Sequence, residues 1–225
     1  MNVVLFGATG MVGQGVLLEC LDDPEVKRVV SIVRRATGVT HAKLTEIVHA
    51  DFFDYAAIES SLRDADACFF CLGVSSVGMK EDDYRHITHD LTMTAANALH
   101  RLNPNLAFIY VSGAGTDSTE KGRSMWARVK GKTENDLAKL FGHAYAFRPG
   151  YIHPVKGVRS KTPWINTAIT VLRPIGFLVK QLPGVGTSSD VLGRAMIAAV
   201  RSGAPSHPVE VREINTLGSA RPAPA

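Results

Sequence analysis

The chain has 225 residues, a formal net charge of +4 and 45% hydrophobic residues. Its length fits one large domain, and its hydrophobic content supports a substantial core, which excludes general disorder. Lysine and arginine are spread along the chain without a basic run, so nothing predicts nucleic-acid binding. The three cysteines do not make a disulfide framework and we find no secretory signal, so we expect a cytoplasmic protein.

The first two-thirds of the chain alternates short apolar runs with helical patterns. Because the runs are apolar throughout, we expect strands that helices cover on both faces. The predicted strands span Asn2–Phe6, Arg28–Val33, Lys43–Ala50, Asp66–Leu72, Leu106–Ser112 and His143–Gly150. Helical periodicity follows the first strand and recurs over Glu81–Leu102 and Ser124–Leu140. This alternation predicts an α/β fold with a doubly wound parallel sheet.

Three glycines lie between the first strand and the first helix: Gly7, Gly10 and Gly13, in the motif GATGMVG. Glycines at this point let the backbone turn sharply and approach a pyrophosphate, whose charge the helix N-terminus attracts. The GxxGxxG spacing differs from the GxGxxG dehydrogenase pattern, but its place between a strand and a helix favours dinucleotide binding. A turn that only packs the helix against the sheet is the alternative.

Two arginines, Arg34 and Arg35, follow the second predicted strand. NAD-binding proteins usually place a carboxylate there for the ribose 2′-hydroxyl, whereas a guanidinium matches the 2′-phosphate of NADP. We therefore expect NADP(H) as the preferred cofactor and NAD(H) as the other option. Two solvated loop arginines are the alternative.

The last third of the chain has a less regular pattern. We assign residues 1–150 to the dinucleotide-binding domain, residues 151–218 to a small substrate-side subdomain, and residues 219–225 to a disordered tail. Within the subdomain, Val209–Ile214 is predicted to be an edge strand. The longest apolar stretch, Trp164–Pro183, contains two charged residues and an internal proline, which argues against a membrane span. We expect it to close a substrate pocket or join a dimer rather than to contact a membrane.

Several motifs resemble the short-chain dehydrogenase/reductase superfamily, in its extended and atypical branch. They are GATGMVG after the first strand, CLG after the fourth, VSGAG after the fifth, WARVKGKTE in the next helix and RPGYIHP after the sixth strand. The similarity spans residues 1–154 and is nearest to the NAD-dependent epimerase/dehydratase-like proteins, including the Tat-interacting-protein oxidoreductase branch. It implies a Rossmann fold, a nicotinamide cofactor, and a homodimer paired through the helices over residues 81–102 and 124–140.

The resemblance also implies which residues contact the cofactor. Those beside the pyrophosphate would be Gly7, Thr9, Gly10, Met11, Val12 and Gly13. Those along the adenosine would be Asp51, Phe52, Cys71, Leu72 and Gly73. Those at the nicotinamide and its ribose would be Lys130, Pro149, Gly150, Tyr151 and Ile152.

The sequence departs from the family at Trp126, which occupies the tyrosine position of the Tyr-x-x-x-Lys motif that ends at Lys130. The family tyrosine transfers a proton, and the lysine cation lowers its pKa. An indole N–H can donate a hydrogen bond but is not an acid or base near neutral pH. Because Trp126 also lies on the apolar stripe of its helix, a core role is the alternative. The catalytic candidates are Ser112, Trp126, Lys130 and Tyr151, with Tyr84, His86 and His153 as further sources of a proton.

Two functions compete, and a membrane-surface scaffold that uses Trp164–Pro183 is a weaker third. The first is an NAD(P)(H)-dependent oxidoreductase or epimerase that acts on a small carbonyl or hydroxyl compound, as the retained Ser112 and Lys130 indicate. The second is an NADP(H)-binding sensor or regulatory protein similar to NmrA-like proteins, which Trp126 favours. Neither the cysteine pair at residues 68 and 71 nor the histidine pair at residues 86 and 89 has further ligands at suitable spacing, so we expect no metal site.

Overall fold

The computed structural model describes residues 1–155 and 184–219. The strands in these ranges are β1 (Asn2–Phe6), β2 (Arg28–Val33), β3 (Leu44–Val48), β4 (Ala67–Phe70), β5 (Ala107–Val111), β6 (Ala144–Arg148), β7 (Tyr151–His153), β8 (Gly186–Ser188) and β9 (Val209–Glu210). The helices are α1 (Met11–Asp22), α2 (Glu59–Leu62), α3 (Glu81–Arg85), α4 (Leu91–Leu102), α5 (Met125–Leu140), α6 (Ser189–Ser202) and α7 (Val211–Ser219). A short 3₁₀ turn (Ala56–Ile58) precedes α2, and a π-helical turn (His86–Asp90) joins α3 to α4.

The predicted α/β fold with a doubly wound parallel sheet is confirmed. Seven parallel strands form one sheet in the order β3-β2-β1-β4-β5-β6-β9, while β7 and β8 form a separate parallel pair. Along β1, Val3 and Leu5 pack into a cluster on one face of the sheet, and Val4 and Phe6 into a cluster on the other. Helices α1 and α6 contribute to the first cluster, and α4 and α5 to the second. This burial on both faces explains the uniformly apolar strand sequences.

All six strands predicted for the first two-thirds of the chain are present, the last four of them shorter at both ends than predicted. The predicted edge strand over Val209–Ile214 is only partly correct, because the strand stops at Glu210 and α7 begins at Val211. The backbone N–H of Glu210 donates to a carboxylate oxygen of Glu213 at 2.7 Å. This contact resembles one half of a capping box, which favours a helix start at this point.

The helix predicted over residues 81–102 is divided by the π-helical turn. Tyr84, Leu91 and Ala95 are buried, as the apolar periodicity predicts. Inside the π-helical turn, however, the buried residues are Thr88 and His89. A π-helical turn adds a residue to the helical repeat, so it rotates the buried face and brings polar side chains inward.

Residues beyond the predicted boundary at residue 150 contact the main sheet. β9 pairs with β6, and Leu192 and Met196 of α6 pack into the same cluster as α1. The substrate-side subdomain stays a prediction. Trp164–Pro183 and residues 220–225 lie outside the described residues, whereas Ser219, which we assigned to the tail, ends α7. No helix within the described ranges is long and apolar enough to cross a membrane.

The strand order fixes where the loops meet. Since the strands are parallel, the loops after β1, β2, β4, β5 and β6 all leave the same edge of the sheet. The chain winds outward from β1 to β3 and then returns to place β4 on the other side of β1, which makes a crevice at this edge between β1 and β4. Residues Gly7, Arg34, Cys71, Ser112 and Pro149 begin or lie in these loops.

Candidate functional site

Two adjoining cavities lie at the carboxyl edge of the sheet. The larger has a volume of about 610 Å³, and the smaller has a volume of about 120 Å³. Both are lined by Gly10, Cys71, Leu72 and Gly73, so they are parts of one cleft that crosses the edge between β1 and β4. An elongated cleft at this topological switch point suits a dinucleotide.

The turn after β1 requires glycine at two positions. Gly7 has a φ of +87°, and a Cβ there would lie 2.7 Å from the carbonyl carbon of Cys71. A Cβ on Gly13 would lie 2.2 Å from the carbonyl oxygen of Gly7. Gly13 lines neither cavity, so its contribution is to pack α1 against the turn.

The N-terminus of α1 offers backbone donors to the cleft. Gly10 is the N-cap residue without a side-chain cap, and the first turn contains no acidic residue. Met11 and Val12, the first residues of the helix, line the larger cavity. The first N–H groups of a helix have no intrahelical acceptor and form the positive end of its dipole. This arrangement therefore fits a pyrophosphate.

The smaller cavity lies beside the end of β2. Thr9, Arg34 and Phe52 contribute to its wall. Phe52 is buried and packs edge-on against Phe6, with their ring centroids 6.1 Å apart. Arg34 is exposed, and it makes no ion pair with any residue that the structure describes. Its guanidinium is therefore free to meet an anion at the mouth of this cavity.

Two residues predicted for the adenosine side lie outside both cavities. Arg35 is exposed but does not line the smaller cavity. Asp51 is also exposed, and its carboxylate accepts a hydrogen bond from the backbone N–H of Phe53 at 2.8 Å. That bond stabilises the local turn, because an aspartate side chain readily accepts from the backbone two residues ahead.

Lys130 lines the larger cavity from α5. Its Nζ donates a hydrogen bond to the backbone carbonyl oxygen of Ser112 at 2.6 Å and lies 5.8 Å from the centroid of the Tyr110 ring. Protein surrounds most of this side chain, and the burial lowers the pKa of Lys130 to about 8, although the charge of Glu134 opposes this effect. A group with this pKa exchanges protons near neutral pH.

Ser112 follows β5 and also lines the larger cavity. Its hydroxyl donates to the backbone carbonyl oxygen of Phe147 at 3.2 Å, and its backbone N–H donates to the same oxygen at 2.9 Å. These bonds anchor the loop after β5 to β6. To donate to a substrate oxygen, the hydroxyl has to rotate away from Phe147.

Trp126 forms part of the wall of the same cavity, one helical turn before Lys130. Its side chain is half-buried, and the ring lies against the backbone of Gly115: a Cβ there would be 3.5 Å from the ring atom Cη2. The structure therefore places Trp126 at the cleft, next to the lysine, and not within either hydrophobic cluster.

The segment after β6 supplies Pro149 and Gly150 to the larger cavity, and β7 supplies Ile152 but not Tyr151. The backbone N–H of Tyr151 donates to the carbonyl oxygen of Val185 at 3.0 Å, which aligns β7 with β8. Because side chains alternate along a strand, Tyr151 and Ile152 of β7 lie on opposite faces. The structure does not bring Tyr151 to the cleft.

Of the three further proton sources, the structure brings only Tyr84 to the larger cavity. Burial raises the pKa of the Tyr84 phenol above its ordinary value, and the hydroxyl of Thr88 partly offsets this. His86 is exposed and stacks on Phe53, with their ring centroids 4.5 Å apart. His153 does not line the cavity. Within the described ranges, no three His, Cys, Asp or Glu side chains form a group that could hold a metal ion.

Several lining residues were missing from the sequence prediction. They are Val74, Ser75 and Ser76 after β4, and Val111, Gly113 and Ala114 around the end of β5. Their position in the sequence carries the signal that could have identified them, because each lies within three residues of Gly73 or Ser112, which were predicted at the carboxyl ends of strands.

A buried ion pair holds α5 to the end of β6. The guanidinium of Arg148 donates to both carboxylate oxygens of Glu134, through Nε at 3.0 Å and through a second, shorter hydrogen bond from Nη2. Glu134 is 3% exposed and Arg148 is 8% exposed. Since Lys130 precedes Glu134 by one helical turn and Pro149 follows Arg148, the pair positions two walls of the cleft relative to each other.

Comparisons with known proteins agree with the binding of a nicotinamide cofactor. The family described as NAD(P)H-binding matches residues 7–144. The protein fmp52 of Emericella nidulans is 32% identical over 208 residues, which cover 88% of this chain and 86% of that protein. The protein fmp52 of Aspergillus fumigatus is 30% identical, with the same shares of the two chains covered.

Solved structures share the fold. The enzyme WbmF of Bordetella bronchiseptica, in complex with NAD⁺, has a TM-score of 0.67 at 16% identity, over 96% of this chain and 76% of that chain. The UDP-glucuronic acid 4-epimerase of Bacillus cereus, in complex with NAD, has a TM-score of 0.62 at 15% identity, over 92% of this chain and 74% of that chain. The expected resemblance to epimerase/dehydratase-like Rossmann proteins is therefore confirmed at the level of the fold, and the family match adds NAD(P)H binding.

One expectation is wrong. Both fmp52 relatives carry the word mitochondrial in their names. This finding overturns the expectation of a cytoplasmic protein, which rested on the absence of a recognised secretory signal, a feature that does not separate these two compartments.

The glycine turn, the uncapped start of α1, the cleft between β1 and β4 and the matched sequences lead to one assignment. The chain belongs to the NAD(P)H-binding family of Rossmann-fold proteins.

Proposed function

We propose that this protein is an NADP(H)-dependent oxidoreductase or epimerase that acts on a small carbonyl or hydroxyl compound. The observation that carries the proposal is the placement of Lys130 and Ser112 in the larger cavity, which continues directly into the smaller cavity beside Arg34. A cleft that has a smaller extension on one side and the polar groups of Lys130 and Ser112 on the other suits a redox cofactor that meets a small substrate.

The residues that would hold the cofactor line the cleft in order. The α1 N-terminus at Met11 and Val12 would take the pyrophosphate, and Phe52 would lie along the adenine. Gly150 and Ile152 would border the nicotinamide. When bound, this cofactor supplies or accepts a hydride, and the protein supplies its orientation and the proton.

The preference for NADP(H) rests on Arg34. Arg34 lines the smaller cavity and makes no ion pair among the described residues, so a 2′-phosphate there would meet an uncompensated positive charge. Asp51, an acidic residue that could have repelled this phosphate, lies outside the cavity wall. Arg35 contributes long-range charge at most, because it lies outside the same wall.

The second candidate function is an NADP(H)-binding sensor without hydride chemistry. It is favoured by Trp126, which stands at the cleft where the family has its proton-transferring tyrosine. In that case the cleft would still bind the nucleotide, but a carbonyl compound would not be reduced.

A measurement of hydride transfer distinguishes the enzyme from the sensor. NADPH deuterated at the reactive C4 position is incubated with a panel of aldehydes, ketones and keto sugars, and mass spectrometry detects deuterium in the alcohol products. We expect incorporation into at least one compound. If the protein binds NADPH in a parallel fluorescence titration but transfers no deuterium to any compound, the sensor function is supported. If it binds neither nucleotide while folded, both candidates fail.

The names of the relatives make a mitochondrial location part of this proposal. The homodimer expected through residues 81–102 and 124–140 stays a prediction, and so do the catalytic roles of Ser112, Lys130 and Trp126. Sedimentation of the purified protein at micromolar concentration would establish its oligomeric state.

A further inference from the structure

The larger cavity contains few groups that can exchange a proton near neutral pH. The hydroxyl of Ser112 donates to a backbone carbonyl, and the indole of Trp126 does not titrate. Burial raises the pKa of the thiol of Cys71 and of the phenol of Tyr84, so both groups hold their protons through the neutral range. Among the described lining residues, this leaves the amine of Lys130.

Lys130 is held by one hydrogen bond. Its Nζ donates to the carbonyl oxygen of Ser112 at 2.6 Å, and no other hydrogen bond or ion pair of Nζ occurs within the described residues. An ammonium has three N–H donors, so the remaining ones can serve a ligand in the cavity. The backbone contact fixes the position of Nζ at the end of β5, where the parallel strands direct their substrate-binding loops.

The surroundings of Lys130 keep its charge only weakly compensated. On its own helix, Glu134 opposes deprotonation, but the carboxylate of Glu134 is bound to Arg148 from β6. On β5 the Tyr110 ring lies below Nζ, and its phenol, like that of Tyr84 on α3, stays neutral because burial raises the pKa of each. Burial therefore dominates, and it lowers the pKa of Lys130 to about 8.

We propose that Lys130 itself transfers the proton to and from the substrate oxygen, in place of the tyrosine that Trp126 replaces. In reduction, the carbonyl carbon accepts a hydride while one N–H bond of the Lys130 ammonium breaks and an O–H bond forms on the substrate oxygen. The amine then takes a proton from water. The hydride comes from the reduced nicotinamide of the proposed function, on which this inference rests, and the nicotinamide is oxidised.

This role differs from that of a lysine that only holds a ribose or lowers the pKa of a neighbouring phenol. A lysine in either of those roles remains a cation throughout. A proton-transferring lysine has to lose and regain its proton, so its pKa has to lie near the working pH. The two roles are therefore separable by direct titration of the amine.

The first experiment titrates the amine without cofactor or substrate. The folded protein is acetylated briefly with acetic anhydride between about pH 6 and pH 11, and mass spectrometry gives the modification rate at each lysine, since only the neutral amine reacts. Lys139, whose pKa Asp136 raises, lies on the same helix and is the internal control. We expect half-maximal reactivity of Lys130 near pH 8, well below that of Lys139. Reactivity that rises together with that of Lys139, or no reaction at Lys130, would overturn the proposal.

The second experiment compares Lys130→Arg with the wild-type protein. Arginine keeps a cation at this position but does not release its proton. We expect Lys130→Arg to bind NADPH within about threefold of wild type and to transfer deuteride at least about a hundredfold more slowly, the usual contribution of general acid catalysis. Equal transfer rates with the same pH profile would refute the role of Lys130 without touching the proposed function. If the arginine variant does not fold, the acetylation titration of the wild-type protein decides alone.

Discussion

At the residue scale, neighbours in the sequence have different roles because only one of them reaches the cleft. Arg34 lines the smaller cavity and Arg35 does not. Ile152 lines the larger cavity and Tyr151 does not. Residue type does not explain this difference for the two arginines, so the direction of the backbone at the end of a strand decides which side chain contacts a ligand.

The two arginines offer a matched pair of variants. We expect Arg34→Ala to weaken NADPH binding by about 10- to 100-fold, the usual value of a charge-assisted contact to phosphate, with little change for NADH. Arg35→Ala should change neither by more than about threefold, because an exposed charge outside the cavity is screened by salt. Calorimetric titration with both nucleotides measures these values. Equal losses of affinity for the two nucleotides in Arg34→Ala would show that Arg34 does not contact the 2′-phosphate.

Replacement of Trp126 by tyrosine is expected to increase the rate of deuteride transfer. A tyrosine at this position places a phenol at the cleft one helical turn before Lys130, whose cation lowers the pKa of a nearby phenol. We expect Trp126→Tyr to accelerate deuteride transfer at least about tenfold, a small part of the usual range for general acid catalysis. Trp126→Phe is the control that removes the indole without adding a hydroxyl. The prediction fails if tyrosine and phenylalanine give the same rate.

At the element scale, α5 is held by interactions on two faces. On one face, Leu137 packs into the hydrophobic cluster between the sheet and helices α4 and α5. On another side, Glu134 pairs with Arg148 at the end of β6, and Gly131 allows the loop after β5 to approach, since a Cβ there would lie 1.8 Å from the carbonyl oxygen of Asp117. The helix that carries Trp126 and Lys130 is therefore fixed in position by the sheet and by the loop.

The buried ion pair should dominate the electrostatic stability of this region. Glu134→Gln leaves the buried Arg148 guanidinium without its main counter-charge, so we expect a loss of about 3–5 kcal/mol in the free energy of unfolding. The matched control is Glu210→Gln, because the side chain of Glu210 contacts the same arginine at 3.4 Å but is 51% exposed. We expect that change to cost less than about 1 kcal/mol. Urea denaturation at neutral pH measures both, and similar losses would contradict the difference in burial.

At the scale of the whole molecule, one sheet brings together loops that are far apart in the chain. Gly7 and Pro149 are separated by most of the described sequence, yet both adjoin the same cleft because β1 and β6 are parallel members of one sheet. The C-terminal elements belong to the same folded unit, since β9 pairs with β6 in the main sheet and α6 packs against α1. Gly15 is required at that helix crossing, where a Cβ would lie 2.5 Å from the Cβ of Ser189.

The sequence by itself determined the α/β class, the positions of six strands, the glycine turn and the altered Tyr-x-x-x-Lys motif. These features are local: apolar runs, helical periodicity and glycine spacing are imposed by the backbone within a few residues. The π-helical turn after α3 and the helix start at Val211 were not predicted, because each depends on contacts that periodicity does not describe.

Only the tertiary structure decided which candidates share the cleft. It brought Ser112, Trp126 and Lys130 together and added Tyr84, while it left Tyr151 and Arg35 outside. The low pKa of Lys130 also belongs to the tertiary structure, because desolvation depends on what packs around the amine. Sequence spacing fixes which residues can lie on one face of an element, but the packing of several elements fixes the environment that gives a side chain its chemistry.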